Sequence, residues 1–146
     1  RMEAYKTLDD VLVNLFNDIM TIEGKAIITE EFKDISNNDM HIIAAVGRDE
    51  ARKMSSVAKS LNITVGTLTI AVNNLVKKGY ITRVRSEKDR RVVLIFLTGK
   101  GRRAYDHHER FHREMIQATL SGLSENETRV LVTALTNLKD FFRSYQ

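Results

Sequence analysis

The chain contains no cysteine, no proline and no tryptophan, and only 7 glycines in 146 residues. Without cysteine there is no disulfide framework, no thiolate nucleophile and no thiolate zinc site. With proline absent and glycine scarce, few residues break a helix, which favours long helical segments. No apolar run approaches the ~20 residues of a membrane helix, and the N-terminus lacks a signal-peptide pattern. A soluble, cytoplasmic chain is therefore expected. Catalytic signatures are also missing: there is no nucleophile elbow and no HExxH zinc motif. Thr98-Gly99-Lys100-Gly101 lacks the upstream glycine spacing of a phosphate loop and reads as a helix start. The expectation is a protein that is not an enzyme and carries no cofactor.

What is present is an apolar fraction of 42%, enough for the core of one domain, and a net charge of +4 that is unevenly spread. Residues 1–50 sum to −6, residues 51–103 to +11 and residues 104–146 to −1. Solvated surfaces usually mix both signs, so a basic block between acidic or neutral flanks points to a polyanionic partner.

Leu8, Val11, Leu12, Leu15, Phe16, Ile19 and Ile22 recur at three- and four-residue steps, the stripe of a long amphipathic helix starting at a Thr7–Asp10 cap. Ser36 and Asp39 open a second helix, which Gly47 stops. Val57, Ala58 and Leu61 mark a short third helix. Val65, Leu68, Val72, Leu75 and Val76 mark a fourth, from Thr64 to Gly79. The period then changes to that of a two-stranded hairpin over 81–85 and 92–97. A fifth helix follows Thr98, and Ser124 with Glu127 opens a sixth, carrying Val130, Leu135, Leu138, Phe141 and Phe142. The predicted fold is mainly α with a small β-hairpin wing, an α+β winged helix-turn-helix. Its terminal helices are too apolar to be buried within one such chain. A two-fold homodimer through the first, fifth and sixth helices is expected.

Residues 55–78 carry the helix-turn-helix signal. Ala58 permits close helix crossing, Asn62 tolerates a left-handed backbone at the turn, and Leu68 plugs the pair. The outward face of the fourth helix carries Gly66, Thr67, Thr69, Ile70, Asn73 and Lys77, with no acid between Val65 and Lys78. Small residues, hydroxyls, an amide and a methyl suit close approach to base edges in a major groove. Ser55, Thr64 and Val65 border this face. In the hairpin, Arg83, Arg85, Ser86, Lys88, Arg90 and Arg91 suit a sugar-phosphate backbone, and an Arg can enter a narrow minor groove. Asp89 is expected to hold Arg91 or a neighbouring Arg extended. Double-stranded DNA is the predicted partner.

Lys78-Gly79-Tyr80-Ile81, Arg83, Asp89-Arg90-Arg91 and Leu97-Thr98-Gly99-Lys100-Gly101-Arg102 resemble the wing signature of MarR-family winged-helix regulators over essentially the whole chain. The resemblance implies a homodimer on a pseudo-palindromic operator, with residues 36–98 as the DNA-binding part of a single 1–146 protomer. Residues 2–30 and 99–146 would then form its helical dimerisation part. Phe32-Lys33-Asp34-Ile35-Ser36, Met40-His41, Gly66-Thr67, Asn73-Asn74-Leu75, Arg83-Val84-Arg85-Ser86-Glu87, Arg110-Phe111-His112 and Leu135-Thr136-Asn137-Leu138 are similar to the members of that family that repress fatty acid synthesis. That likeness implies long-chain acyl-acyl carrier protein as corepressor. An acyl chain needs an apolar tunnel, for which Ile19, Met20, Ile43, Phe111 and Met115 are candidates. Arg102, Arg103, Arg110 and Arg113 are candidates for a rim facing the acidic carrier. The alternative is a family member that answers zinc or a small phenolic or lipophilic ligand. Zinc-sensing members place one His on the second helix and two on the fifth, a layout that His41, His108 and His112 resemble. Met40, however, stands where such sensors carry an acid. The histidines therefore read as a buried hydrogen-bonded pair, His41 with His112, and no metal is expected.

Overall fold

The computed structural model describes residues 2–145 other than 28 and 30, and no side chains at 26 and 27. The chain divides into two compact units, Arg1–Phe111 and His112–Gln146. The first contains α1 (Met2–Ile27), α2 (Asn37–Val46), β1 (Arg52–Lys53), α3 (Met54–Ser60), α4 (Val65–Lys77), β2 (Ile81–Arg85), β3 (Val93–Leu97) and the start of α5 (Gly99–Leu120).

Local chemistry sets most of these boundaries. Ser36 Oγ accepts from the Asp39 amide at 3.1 Å and the Asp39 carboxylate accepts from the Ser36 amide at 3.1 Å, closing a capping box on α2. Thr64 caps α4, and Gly79 at φ +86° ends it. Asn62 occupies the left-handed region at φ 56° in the α3–α4 turn, as its residue type predicts. α1 departs from expectation. It is already helical at Met2 rather than starting at Thr7, because residues 2–6 contain good helix formers and no breaker.

The sheet has three antiparallel strands in the order β1-β3-β2, not the two-stranded hairpin predicted. β1 pairs Arg52 with Ile95 and Lys53 with Leu94; a two-residue strand carries no readable period. β2 pairs with β3 from Ile81–Leu97 to Arg85–Val93. The core joins Met40, Ile43 and Val46 of α2 to Val57 and Ala58 of α3, Leu68, Val72 and Leu75 of α4, and Ile95 and Leu97 of β3. Ala58 and Leu68 are both buried, as the helix-turn-helix crossing requires.

A knot at Tyr80 joins the end of α4 to the start of α5. The Tyr80 carbonyl accepts from the Thr98 amide at 3.0 Å. Gly101 packs so closely there that a Cβ would stand 2.1 Å from the Tyr80 oxygen. The Tyr80 hydroxyl donates to Asp34 Oδ1 at 2.6 Å, and the Lys100 ammonium lies 4.5 Å from the ring centroid.

The second unit holds the remainder of α5 and α6 (Glu125–Arg143), whose Ser124–Glu127 capping box forms as predicted. No described residue of α6 is buried, and Val130, Leu135, Phe141, Phe142 and Tyr145 are all exposed.

Candidate nucleic-acid interface

The outward face of α4 is shaped by what its hydroxyls already do. Thr64 Oγ1 accepts from the Thr67 amide at 3.1 Å and donates to Thr67 Oγ1 at 2.9 Å, while Thr69 Oγ1 donates to the Val65 carbonyl at 2.7 Å. Thr64 and Thr69 therefore offer acceptor lone pairs outward, while Thr67 keeps its hydroxyl proton to donate. Ile70 is 69% exposed at the middle of this helix, an apolar side chain held largely in solvent. A Cβ at Gly66 would only touch Thr64 Oγ1 at 3.9 Å, and Lys77 is exposed one turn beyond Asn73.

The wing stands next to this face. Between them runs a groove lined by Lys53, Met54, Ser55, Val65, Thr69, Arg83, Val84, Arg85 and Arg91. Its walls bring together four cations and no carboxylate. Arg85 donates to the Arg90 carbonyl at 2.9 Å, and Arg83 donates to Asn73 Oδ1. Neither bond neutralises a charge, so the groove attracts polyanions.

Asp89 grips Arg91 as expected, in a fork: Oδ1 accepts from Nε at 3.1 Å and Oδ2 from Nη2 at 3.1 Å. Oδ1 also accepts from the Arg91 amide at 3.1 Å, and Ser86 Oγ accepts from the Asp89 amide at 3.4 Å. The Arg91 bond holds the Asp89 carboxyl below its usual range, while the Arg91 side chain stays 91% exposed. Lys88 and Arg90 are exposed on the same loop. Ser55, Thr64, Val65, Gly66, Thr67, Thr69, Ile70, Asn73, Lys77, Arg85, Ser86, Lys88, Asp89, Arg90 and Arg91 thus all lie on α3, α4, their turn or the wing. Lys53 and the role of Arg83 as a partner of Asn73 were not foreseen. Lys53 is placed by β1, which the sequence does not announce, and the Arg83 bond spans ten residues.

The residues proposed for an effector are more dispersed. Ile43 is fully buried in the winged-helix core, Ile19 is half-buried, and Met20 is 55% exposed on α1. Phe111 ends the first unit and Met115 belongs to the second. Arg102 is exposed, and Arg103 is engaged by Glu31 at 2.5 Å.

The histidine reading needs correction. Of the expected buried pair, His41 is not buried, and His112 belongs to the second unit. His108 is the buried imidazole, and its Nε2 lies 2.7 Å from Oε1 of Glu23, itself buried on α1. His41 keeps 45% of its side chain exposed, with Nε2 3.8 Å from the same oxygen. Glu23 escaped the sequence reading because its partner lies 85 residues away. Carboxylate and imidazole are ligand types that also suit a divalent transition metal. His112 follows His108 by one helical turn on α5.

Known proteins resemble this chain in sequence and in fold. The family described as "Transcriptional regulator SarA/Rot" matches residues 25–108. The structure is similar to Streptococcus pneumoniae FabT in complex with DNA, with a TM-score of 0.87 and 42% identity, covering 97% of this chain and 99% of that one. It also shares its fold with the Staphylococcus aureus MepR–DNA complex, at a TM-score of 0.71 and 24% identity over 95% of this chain and 98% of that one. Among sequence relatives, the regulator BilQ of Clostridium symbiosum is 29% identical over 125 residues, 85% of each chain.

Proposed function

Because the chain belongs to the SarA/Rot family of transcriptional regulators, of MarR type, we propose that it is a homodimeric repressor of pseudo-palindromic operator DNA. The observation that carries this reading is the pairing of an exposed Ile70 on α4 with a wing groove holding four cations and no carboxylate. Each copy places residues 65–77 in a major groove, with half-sites about one helical turn apart. Arg91, extended by Asp89, meets the adjacent minor groove. The 42% identity to a protein solved on DNA supports the same conclusion.

The regulated genes are those of fatty acid synthesis, and the corepressor is long-chain acyl-acyl carrier protein. The stretches that resemble fatty-acid-synthesis repressors and the likeness to FabT support this assignment. Ile19, Met20 and Phe111 would meet the acyl chain, and Arg102 and Arg103 the carrier. An effector that fits one spacing of the two recognition helices raises affinity for the operator matching that spacing. The test is a gel shift of a fatty acid synthesis promoter, with and without carrier protein loaded with a long acyl chain. Tighter binding with the loaded carrier is expected. Unchanged binding removes this corepressor, and no shift in dilute buffer removes the operator.

A second reading is favoured by Glu23. It supplies the acid that Met40 lacks, beside His108 and His41. In a metal-responsive repressor these residues would hold zinc, which would brace α1 against α2 and α5. Chelation would then abolish operator binding and added zinc restore it; chelator-insensitive binding excludes this reading.

A further inference from the structure

The sequence assigns Arg83 to the sugar-phosphate backbone, yet in the fold its guanidinium bonds Asn73, an amide on the reading face of α4. A guanidinium has only donors, so the Asn73 atom facing it must be the carbonyl oxygen. The Asn73 amino group therefore remains to be offered elsewhere. On α4, Asn73 shares its face with Gly66, Ile70 and Lys77 at helical spacing.

A free asparagine reads adenine by accepting from N6 and donating to N7. That contact needs Oδ1. Here Oδ1 is held by a cation, and a base amino group brought to its second lone pair would lie against the guanidinium charge. What the pair presents instead is two neighbouring donors, the Asn73 amino group and the remaining N–H groups of Arg83. Guanine, with N7 and O6 side by side, is the base edge that offers two neighbouring acceptors.

We infer that Arg83 is a specificity-determining positioning residue, which converts Asn73 from an adenine reader into part of a donor pair that selects guanine. The bond joins wing to recognition helix, so base choice depends on the wing's being seated against α4. This inference rests on the DNA-binding reading above.

The test is selection from random-sequence duplexes with the full-length protein, followed by titration of the selected site and its single-base variants. Wild type, Arg83→Met and Asn73→Asp are compared, with far-UV circular dichroism matched among them; Arg83 is exposed, so its replacement leaves the core intact. Wild type should require guanine at one position per half-site. Arg83→Met should move that position toward adenine, changing the guanine-to-adenine ratio by about tenfold while other positions keep their preference. Asn73→Asp keeps an acceptor for Arg83 but loses the amino donor, and should lose the guanine preference at the same position. An Arg83→Met profile that weakens equally on every sequence makes Arg83 a phosphate contact and overturns the inference. So does a wild-type preference for adenine at the position that Asn73→Asp alters. If wild type enriches no duplex at low salt, the DNA-binding reading itself fails, a result distinct from either of these.

Discussion

Arg91 shows how a single acid can serve a DNA-binding surface. A free arginine samples many rotamers, and ordering it on binding costs conformational entropy. The Asp89 fork fixes the guanidinium beforehand and leaves it 91% exposed. Arg91→Ala should weaken operator binding by about 1–3 kcal/mol if the side chain enters the minor groove. Fluorescence anisotropy on a defined operator measures this, and unchanged affinity removes the wing from the interface. Asp89→Asn should lose part of the same affinity through a wider Arg91 rotamer distribution. Gly101 is constrained differently, by space. A Cβ there would meet the Tyr80 carbonyl at 2.1 Å, and backbone cannot step aside as a flexible side chain can. Gly101→Ala should destabilise the fold by about 1–3 kcal/mol, read as a shifted denaturant midpoint.

Between elements, the Tyr80 knot ties the recognition helix to α5 and to the α1–α2 connection. The Tyr80 hydroxyl bond, followed by Lys100 and Lys78, holds the Asp34 carboxyl below its usual range. Burial, then the same bond, pushes the Tyr80 phenol up, so it stays a donor. Tyr80→Phe should cost about 1 kcal/mol at neutral pH, since Asp34 is partly solvated. A carboxyl depressed in the fold stabilises above its unfolded pKa of about 3.9, and that contribution is lost as pH falls through the lower folded value. The stability gap between wild type and Tyr80→Phe should therefore be constant near neutrality and close in acid. A pH series of urea melts tests this; a gap that persists in acid assigns the cost to packing instead. The same elements show what a sequence exposes. Ser36 with Asp39, Ser124 with Glu127 and Asn62 act within a few residues, so their caps and turn are legible as patterns. β1 is not, because its two residues acquire meaning only opposite Ile95 and Leu94. Glu23 and Arg83 are visible as charges, but their partners are chosen by the tertiary fold.

At the scale of the molecule, the described protomer leaves large apolar side chains in solvent on both terminal helices. Tyr5, Leu8, Phe16 and Met20 are exposed on α1, and Val130, Leu135, Phe141 and Phe142 on α6. Isolated exposed apolar residues are ordinary, but stripes at helical spacing demand a covering surface. A second copy is the occupant that the proposed pseudo-palindromic operator would require, since a two-fold DNA sequence is read by a two-fold protein. The pairing matters for affinity as well as burial, because the second head binds at high effective concentration once the first is seated. Val130 and Leu135 are 69% and 51% exposed in the protomer, so charging them leaves its core intact. Val130→Glu with Leu135→Glu should convert a dimer into a monomer in sedimentation. It should also lower operator affinity by at least about a hundredfold, while random DNA, which rewards phosphate contacts head by head, loses far less. A double variant that stays dimeric and binds its operator normally places the pairing surface away from α6.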